Sequence, residues 1–401
     1  MKIIFLNGTP IAKVWADKVN LEWYLSNGFE LEFWNLDRIY YSSSQIKRYF
    51  SDNKYLSYKP PNQKIFYSKE DVKKELYSIH KNTIFCLLDF ANHDDFWLRR
   101  LLKIVNANYY VGPRVVGFHG EKYLLDSKTK YIFYFLKRFI DSFSDENFLK
   151  RYNFFNRFKD YLYKYSNYYQ KPIFVASSGF AGRQMWMKKT LAANFLSIPS
   201  VEIDWTKKER FIDFEYGVFV DDTIFSSPDY SMNHGDSNYR TKNIKKYIDN
   251  LKSFFNLIER KFKLKIIIAA SGKYIYDKNP YNREIFYQKT AELIQHANLI
   301  IGHNSSALNQ AIVNKKPTLM IFDSTIKKEK RMKIQYVANY LNIKPLNIES
   351  YSEKELHENL NQNDDTDTVI KKYFLENIEK DNHLTSYEMI AKEIHHIGLD
   401  K

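Results

Sequence analysis

Short apolar runs alternate with longer amphipathic stretches along the whole chain, and this alternation predicts its architecture. KIIFLN (2–7) reads as a strand, followed by a helical pattern from about 11 to 25 that Gly28 closes. LEFWNL (31–36), TIFCLLDF (83–90), YYVGP (109–113) and KPIFVAS (171–177) follow, with helical stretches near 71–80, 95–104 and 127–165. Few polar residues interrupt these runs, as expected of parallel strands covered by helices on both faces. The first part of the chain is therefore expected to be a doubly wound α/β domain.

After SIPSVEIDW (197–205) the pattern restarts. YGVFVDD (216–222), LKIIIAAS (264–271), NLIIGH (298–303) and KPTLMIF (316–322) read as strands, separated by helices near 243–261, 282–296 and 306–314. Helical patterns between 352 and 397 close the chain. The expected organisation is a first Rossmann-like domain over 1–196, a second over 197–375, and a terminal helix in 376–401 packing back on the first. The fold class is α/β, two doubly wound domains facing a central cleft, with the site at the carboxyl ends of the strands.

Composition narrows the function. A length of 401 residues suits two domains, each with its own core. Cys86 is the single cysteine, which excludes an intramolecular disulfide framework and a cysteine-based zinc cluster. No run approaches the roughly 18 apolar residues that span a bilayer, and Met1 leads straight into a strand pattern, so a cytoplasmic location is expected. The net charge of +14 favours anionic partners, nucleotide-activated substrates among them. No zinc finger, RNP-like motif or uninterrupted basic block is present, so nucleic acid is not expected as a partner. Between 134 and 169 lysines interleave with Tyr and Phe. This suits either packed helices with solvated lysines or peripheral contact with the inner face of a membrane.

The chain lacks GxGxxG, Walker A, GxSxG, HExxH and the kinase signatures, which removes most dehydrogenases, P-loop enzymes and zincins. Four clusters in the second half remain. Asp221 and Asp222 end a strand and are followed by Phe225-Ser-Ser-Pro228-Asp229, an acidic set suited to nucleophilic or acid/base work. Asp222 or Asp229 can instead be a turn cap. Ala269-Ala-Ser271-Gly-Lys273-Tyr274-Ile-Tyr276 joins small residues to a cation at a strand end, which is phosphate-binding chemistry without a full P-loop. Gly302-His303-Asn304-Ser305-Ser306 reads as a strand end and helix start, where free amides favour a phosphate or carboxylate. One serine can be a plain N-cap, and His303 a core histidine. Lys315-Lys316-Pro317 reads as a helix stop. Asn92-His93-Asp94-Asp95 is a weak metal motif, because Asp95 fits the cap of the next helix. No metal is assigned.

Together these residues resemble the GT-B glycosyltransferases that build bacterial surface polysaccharides, in particular the retaining β-Kdo transferases that use CMP-Kdo. Ile198-Pro-Ser-Val-Glu-Ile-Asp204, Phe219-Val-Asp221 with Ser227-Pro228-Asp229, Ala269-Ala-Ser271-Gly-Lys273 and Gly302-His303-Asn304-Ser305-Ser306 match that family's motifs in order, over roughly 195–325. Ser227 and Ser271 depart from it, standing where the family carries histidines.

The resemblance implies transfer of Kdo or a related ulosonic acid from a CMP-activated donor onto O-antigen, capsule or lipopolysaccharide. The acceptor would be a glycan or lipid-linked glycan. Asp221 would be the nucleophile, with Asp222 or Asp229 orienting it or acting as base. Ser271, Lys273, Tyr276, His303, Asn304, Ser305 and Ser306 would hold the donor without a metal cofactor. The two departures also fit a catalytically impaired partner or carbohydrate-binding subunit, and an epimerase-like enzyme is a third reading.

Overall fold

The computed structural model describes residues 1–11, 21–47, 58–79, 82–88, 96–114, 170–178, 194–199, 208–224, 241, 243–272, 274–360, 367, 369–370 and 384–399, with single positions at 13, 16 and 19. Two parallel sheets organise them. The first has seven strands: β1 (Lys2–Asn7), β2 (Glu30–Asn35), β3 (Gln63–Ile65), β4 (Thr83–Leu87), β5 (Asn108–Arg114), β6 (Val175–Ser178) and β7 (Phe195–Ile198). Their order across the sheet is β3-β2-β1-β4-β5-β6-β7. The second has six: β8 (Tyr216–Asp221), β9 (Lys265–Ala270), β10 (Ile285–Tyr287), β11 (Leu299–Gly302), β12 (Thr318–Phe322) and β13 (Leu346–Asn347), in the order β10-β9-β8-β11-β12-β13. In each sheet the winding reverses between its first and fourth strands, which are β1 and β4 in one and β8 and β11 in the other. This is the doubly wound Rossmann arrangement, used twice.

The sequence pattern and the burial agree in physical terms. Ile3, Ile4, Phe5 and Leu6 are fully buried, as are Val218 and Phe219, because helices cover both faces of each sheet. The Ile244–Phe262 helix shows how one face is covered. Asn243 caps its start by accepting from the Lys246 N–H at 3.0 Å. Tyr247, Leu251, Phe254, Phe255 and Ile258 then recur at helical spacing and bury together. Lys263 ends the helix in the left-handed region at φ 53°.

The sheets divide the chain between Ile198, the end of β7, and Tyr216, the start of β8. The Ser386–Leu399 helix belongs to the first core, where Tyr387, Ile390, Ala391 and Ile394 pack with Phe5, Tyr24 and Phe33. Tyr24 donates its hydroxyl to the Tyr387 carbonyl at 2.8 Å, and Ser386 donates to that of Pro199 at 2.7 Å.

Two expected helices differ. Over 282–296 the chain first forms β10, a parallel partner of β9, and only Thr290–His296 is helical. Ile285, Phe286 and Tyr287 are β-branched and aromatic, and left-handed residues at Asn282 and Gln288 bracket them. The helix expected from Ser306 starts at Leu308 and ends at Val313. The expected helix over 127–165 lies outside the described residues.

Gly112 in β5 tests the packing of the first sheet. Its φ is 133°, and a Cβ there would lie 2.5 Å from the carbonyl oxygen of Ala176. The Gly112→Ala variant should therefore lose about 2–4 kcal/mol of stability, from backbone strain and the forced separation of β5 and β6. Urea melts check this. An unchanged midpoint would mean that β5 relaxes at no cost.

Candidate active site

The winding reversal in the second sheet puts the ends of β8 and β11 side by side. Gly302 pairs with Val220, so Asp221 and His303 follow on neighbouring strands. Open α/β sheets bind their ligands at such a point. Beyond Asp221 the chain turns sharply. Thr223 takes φ 52°, and its N–H donates to Asp221 Oδ1 at 2.8 Å. One carboxylate oxygen of Asp221 thus shapes the loop that leaves the strand.

The other oxygen faces tyrosines. Tyr276 donates its hydroxyl to Asp221 Oδ2, and the Tyr281 hydroxyl lies 3.2 Å from that of Tyr276. Asp221 is only 3% exposed. Burial pushes its carboxyl up to about 6, and the neighbouring charge of Asp222 adds to the shift, while the Tyr276 and Thr223 hydrogen bonds pull it back. Burial also raises the Tyr276 hydroxyl far above its ordinary range, so it stays a donor.

Asp222 stands in a different setting. Its Oδ2 forms an ion pair with the Lys330 ammonium, which also donates to Asn304 Oδ1. Lys330 is 5% exposed and lies on the Lys328–Tyr340 helix. Asp222 Oδ1 lies 3.5 Å from His303 Nδ1. His303 is 0% exposed, edge-on to Phe219, with Nε2 sharing a 3.1 Å hydrogen bond with the Tyr247 hydroxyl. The structure thus brings Asp221, Asp222, Tyr276, His303 and Asn304 into two touching networks.

The remaining expected residues divide. Ser271 follows directly after β9 and is half-buried. Ser305 and Ser306 sit in the tight turn before Leu308. Their carbonyls accept from the N–H groups of Leu308 and Asn309, and Ser305 Oγ accepts from Ala307 N at 3.3 Å. The N-cap is Ala307, with no side-chain cap, so neither serine opens the helix. Lys273 and Asp229 lie outside the described residues, as do Ser227, the 92–95 cluster and the basic-aromatic stretch over 134–169. Lys330, Tyr281 and Tyr247 are the site residues that the motifs did not point to. Among the described residues no group of three His, Cys, Asp or Glu is placed to hold a metal ion. No described helix is long and apolar enough to cross a membrane.

No protein-family model and no curated protein matches the chain in sequence. Solved structures match it in shape. Spinosyn forosaminyltransferase SpnP superposes with a TM-score of 0.51 at 13% identity, over 100% of this chain and 99% of that one. The glycotransferase of kitacinnamycin gives 0.50 at 10% identity, over 99% of this chain and 98% of the other. The fold is GT-B. Within that GT-B frame the acidic pair lies on the second of the two Rossmann-like domains.

The raised Asp221 carboxyl has a consequence for stability. Between the ordinary aspartate value and about 6 the folded chain holds a proton that the unfolded chain has released, so stability falls as pH rises through this window. The charged carboxylate then costs about 3 kcal/mol at most at neutral pH. Asp221→Asn, which resembles the protonated carboxyl, should melt higher than wild type at pH 7.5, and the gain should vanish near pH 4. Thermal melts across this range check it, and an equal gain at both pH values would contradict it.

Proposed function

We propose that the chain is a glycosyltransferase that moves a sugar from a nucleotide-activated donor onto a glycan or lipid-linked glycan acceptor. The observation that carries this reading is the pair of adjacent carboxylates at the switch point, set in opposite environments. Asp221 is buried among hydroxyls, and Asp222 is held against a buried ammonium. Neighbouring acids kept in different states are the usual basis for dividing roles in a two-carboxylate reaction. The two solved proteins of similar shape are transferases by name, which agrees with the reading.

In the proposed reaction Asp221 Oδ2 attacks the anomeric carbon as the bond from that carbon to the donor phosphate breaks, and the electron pair leaves on the phosphate. The acceptor hydroxyl then displaces the carboxylate and gives its proton to a base. Two inversions retain the configuration. The resemblance in the second domain favours a CMP-linked ulosonic acid, which leaves CMP as a phosphate monoester. Tyr276 must release its hydrogen bond for the carboxylate to reach the sugar. The attacking group must be ionised, so turnover should rise as pH climbs through about 6.

A second reading, binding without turnover, is favoured by the burial of Asp221 and by Ser271, where the resembled family carries a histidine.

Incubation with CMP-Kdo and with a panel of UDP-sugars, following release of nucleotide, decides between the two. Release from a CMP-linked donor supports the CMP-sugar reading, and release from UDP-sugars alone would replace the donor while keeping the transfer. Asp221→Asn should lower release by roughly a thousandfold or more, since a lost nucleophile costs several orders of magnitude. Near-wild-type release in that variant would end the assignment.

The reaction is proposed to be independent of metal, with protein cations stabilising the departing phosphate. Turnover should therefore survive excess EDTA. Loss on chelation and recovery with Mg²⁺ or Mn²⁺ would contradict this.

A further inference from the structure

The proposed transfer leaves Lys330 without a role, although among the described residues it is the cation buried at the switch point. Its ammonium donates to Asp222 Oδ2 and Asn304 Oδ1, on loops that leave the two central strands. That is the coordination a phosphoryl oxygen would enjoy, supplied here by the protein itself. Asn304 is half-buried and the Asp222 side chain is 9% exposed, whereas Lys330 and His303 lie beneath them.

A second feature gives the Asp222 carboxylate somewhere to go. His303 Nδ1 is buried with no hydrogen-bond partner, and it points at Asp222 Oδ1 from 3.5 Å, just beyond a made bond. A buried, unsatisfied nitrogen is costly, and a small rotation of the carboxylate would satisfy it. The proton count allows this without exchange with solvent. With the imidazole proton on Nδ1, Nε2 accepts from the Tyr247 hydroxyl, at the 3.1 Å separation observed.

We propose that Asp222 is an internal stand-in for a phosphoryl oxygen of the ligand. It pairs with Lys330 in this structure and moves onto His303 Nδ1 when a nucleotide phosphate takes the ammonium. The inference rests on the proposed function, with the donor phosphate taken to bind at the switch point of the second domain. Asp222 is then a competitor of the ligand, and removing its charge tightens phosphate binding.

The test is calorimetric titration of CMP, UDP and cytidine into the full-length chain. Asp222→Asn should bind CMP and UDP about tenfold more tightly than wild type, because the competing charge is gone, with cytidine unchanged. Lys330→Met should bind both nucleotides at least about tenfold more weakly. That variant leaves a buried carboxylate unpaired and can fail to fold. The Asp222→Asn, Lys330→Met double variant removes both charges and keeps the comparison available, and in it the gain should disappear.

An Asp222→Asn variant with unchanged or weaker CMP affinity would overturn the proposal. So would a gain that survives the loss of Lys330, an equal gain for cytidine, or no measurable binding of either nucleotide. None of these measurements involves turnover. The predicted binding pattern without sugar transfer would end the glycosyltransferase reading and leave the exchange standing. Transfer without the Asp222→Asn gain would end the exchange alone.

Discussion

A strand buried along its whole length must leave the sheet somewhere, and in the second domain it leaves on a carboxylate. Asp221 accepts the N–H of Thr223, which lets a non-glycine residue take a left-handed conformation and turns the chain away from β8. The same side chain is buried beside the charge of Asp222 and against Tyr276. The turn that ends the strand and the group proposed to react are therefore one residue. Replacing Asp221 should touch both shape and chemistry, which is why its stability and its turnover have to be measured separately. Asparagine keeps an oxygen for Thr223 and removes only the charge.

The two carboxylates differ although they are adjacent in sequence. Successive residues at a strand end point to different surroundings, and here those surroundings are tyrosine hydroxyls on one side and Lys330 with His303 on the other. Burial and the neighbouring charge of Asp222 raise Asp221, whereas Asp222 pairs with Lys330. Asp221 thus carries the turn and the raised carboxyl, and Asp222 carries the ion pair.

How much of this was visible in the residues follows from the physics of each part. Strands of a covered parallel sheet are continuous apolar runs, so KIIFLN, YGVFVDD and LKIIIAAS announce themselves. β10 and β13 have only three and two residues, too short for periodicity to mark. The Lys328–Tyr340 helix is masked by its lysines, yet Ile334, Val337, Ala338 and Leu341 are buried at helical spacing. That stripe was the available signal, and Lys330 lies one turn before it. The acidic pair and His303 could be read from their strand ends. That His303 faces the core, and that Ser305 and Ser306 form a turn, depend on contacts with Tyr247 and Ala307 that no local pattern encodes.

The first sheet is a control supplied by the molecule itself. It has the same winding reversal, with β1 and β4 in the places of β8 and β11. β1 ends in Asn7, and β4 runs into Leu87 and Leu88, so among the described residues no titratable side chain ends either strand. One buried acid of this domain, Asp37, follows β2 and bonds with Asn35, and burial raises its carboxyl; another, Glu32 in β2, pairs with Lys2 and Lys64. Topology alone therefore does not produce the acidic pair, since two sheets of one chain share the topology and, among the described residues, one carries the pair. The crevice comes from the winding, while the local sequence places Asp221, Asp222 and His303 where the winding reverses.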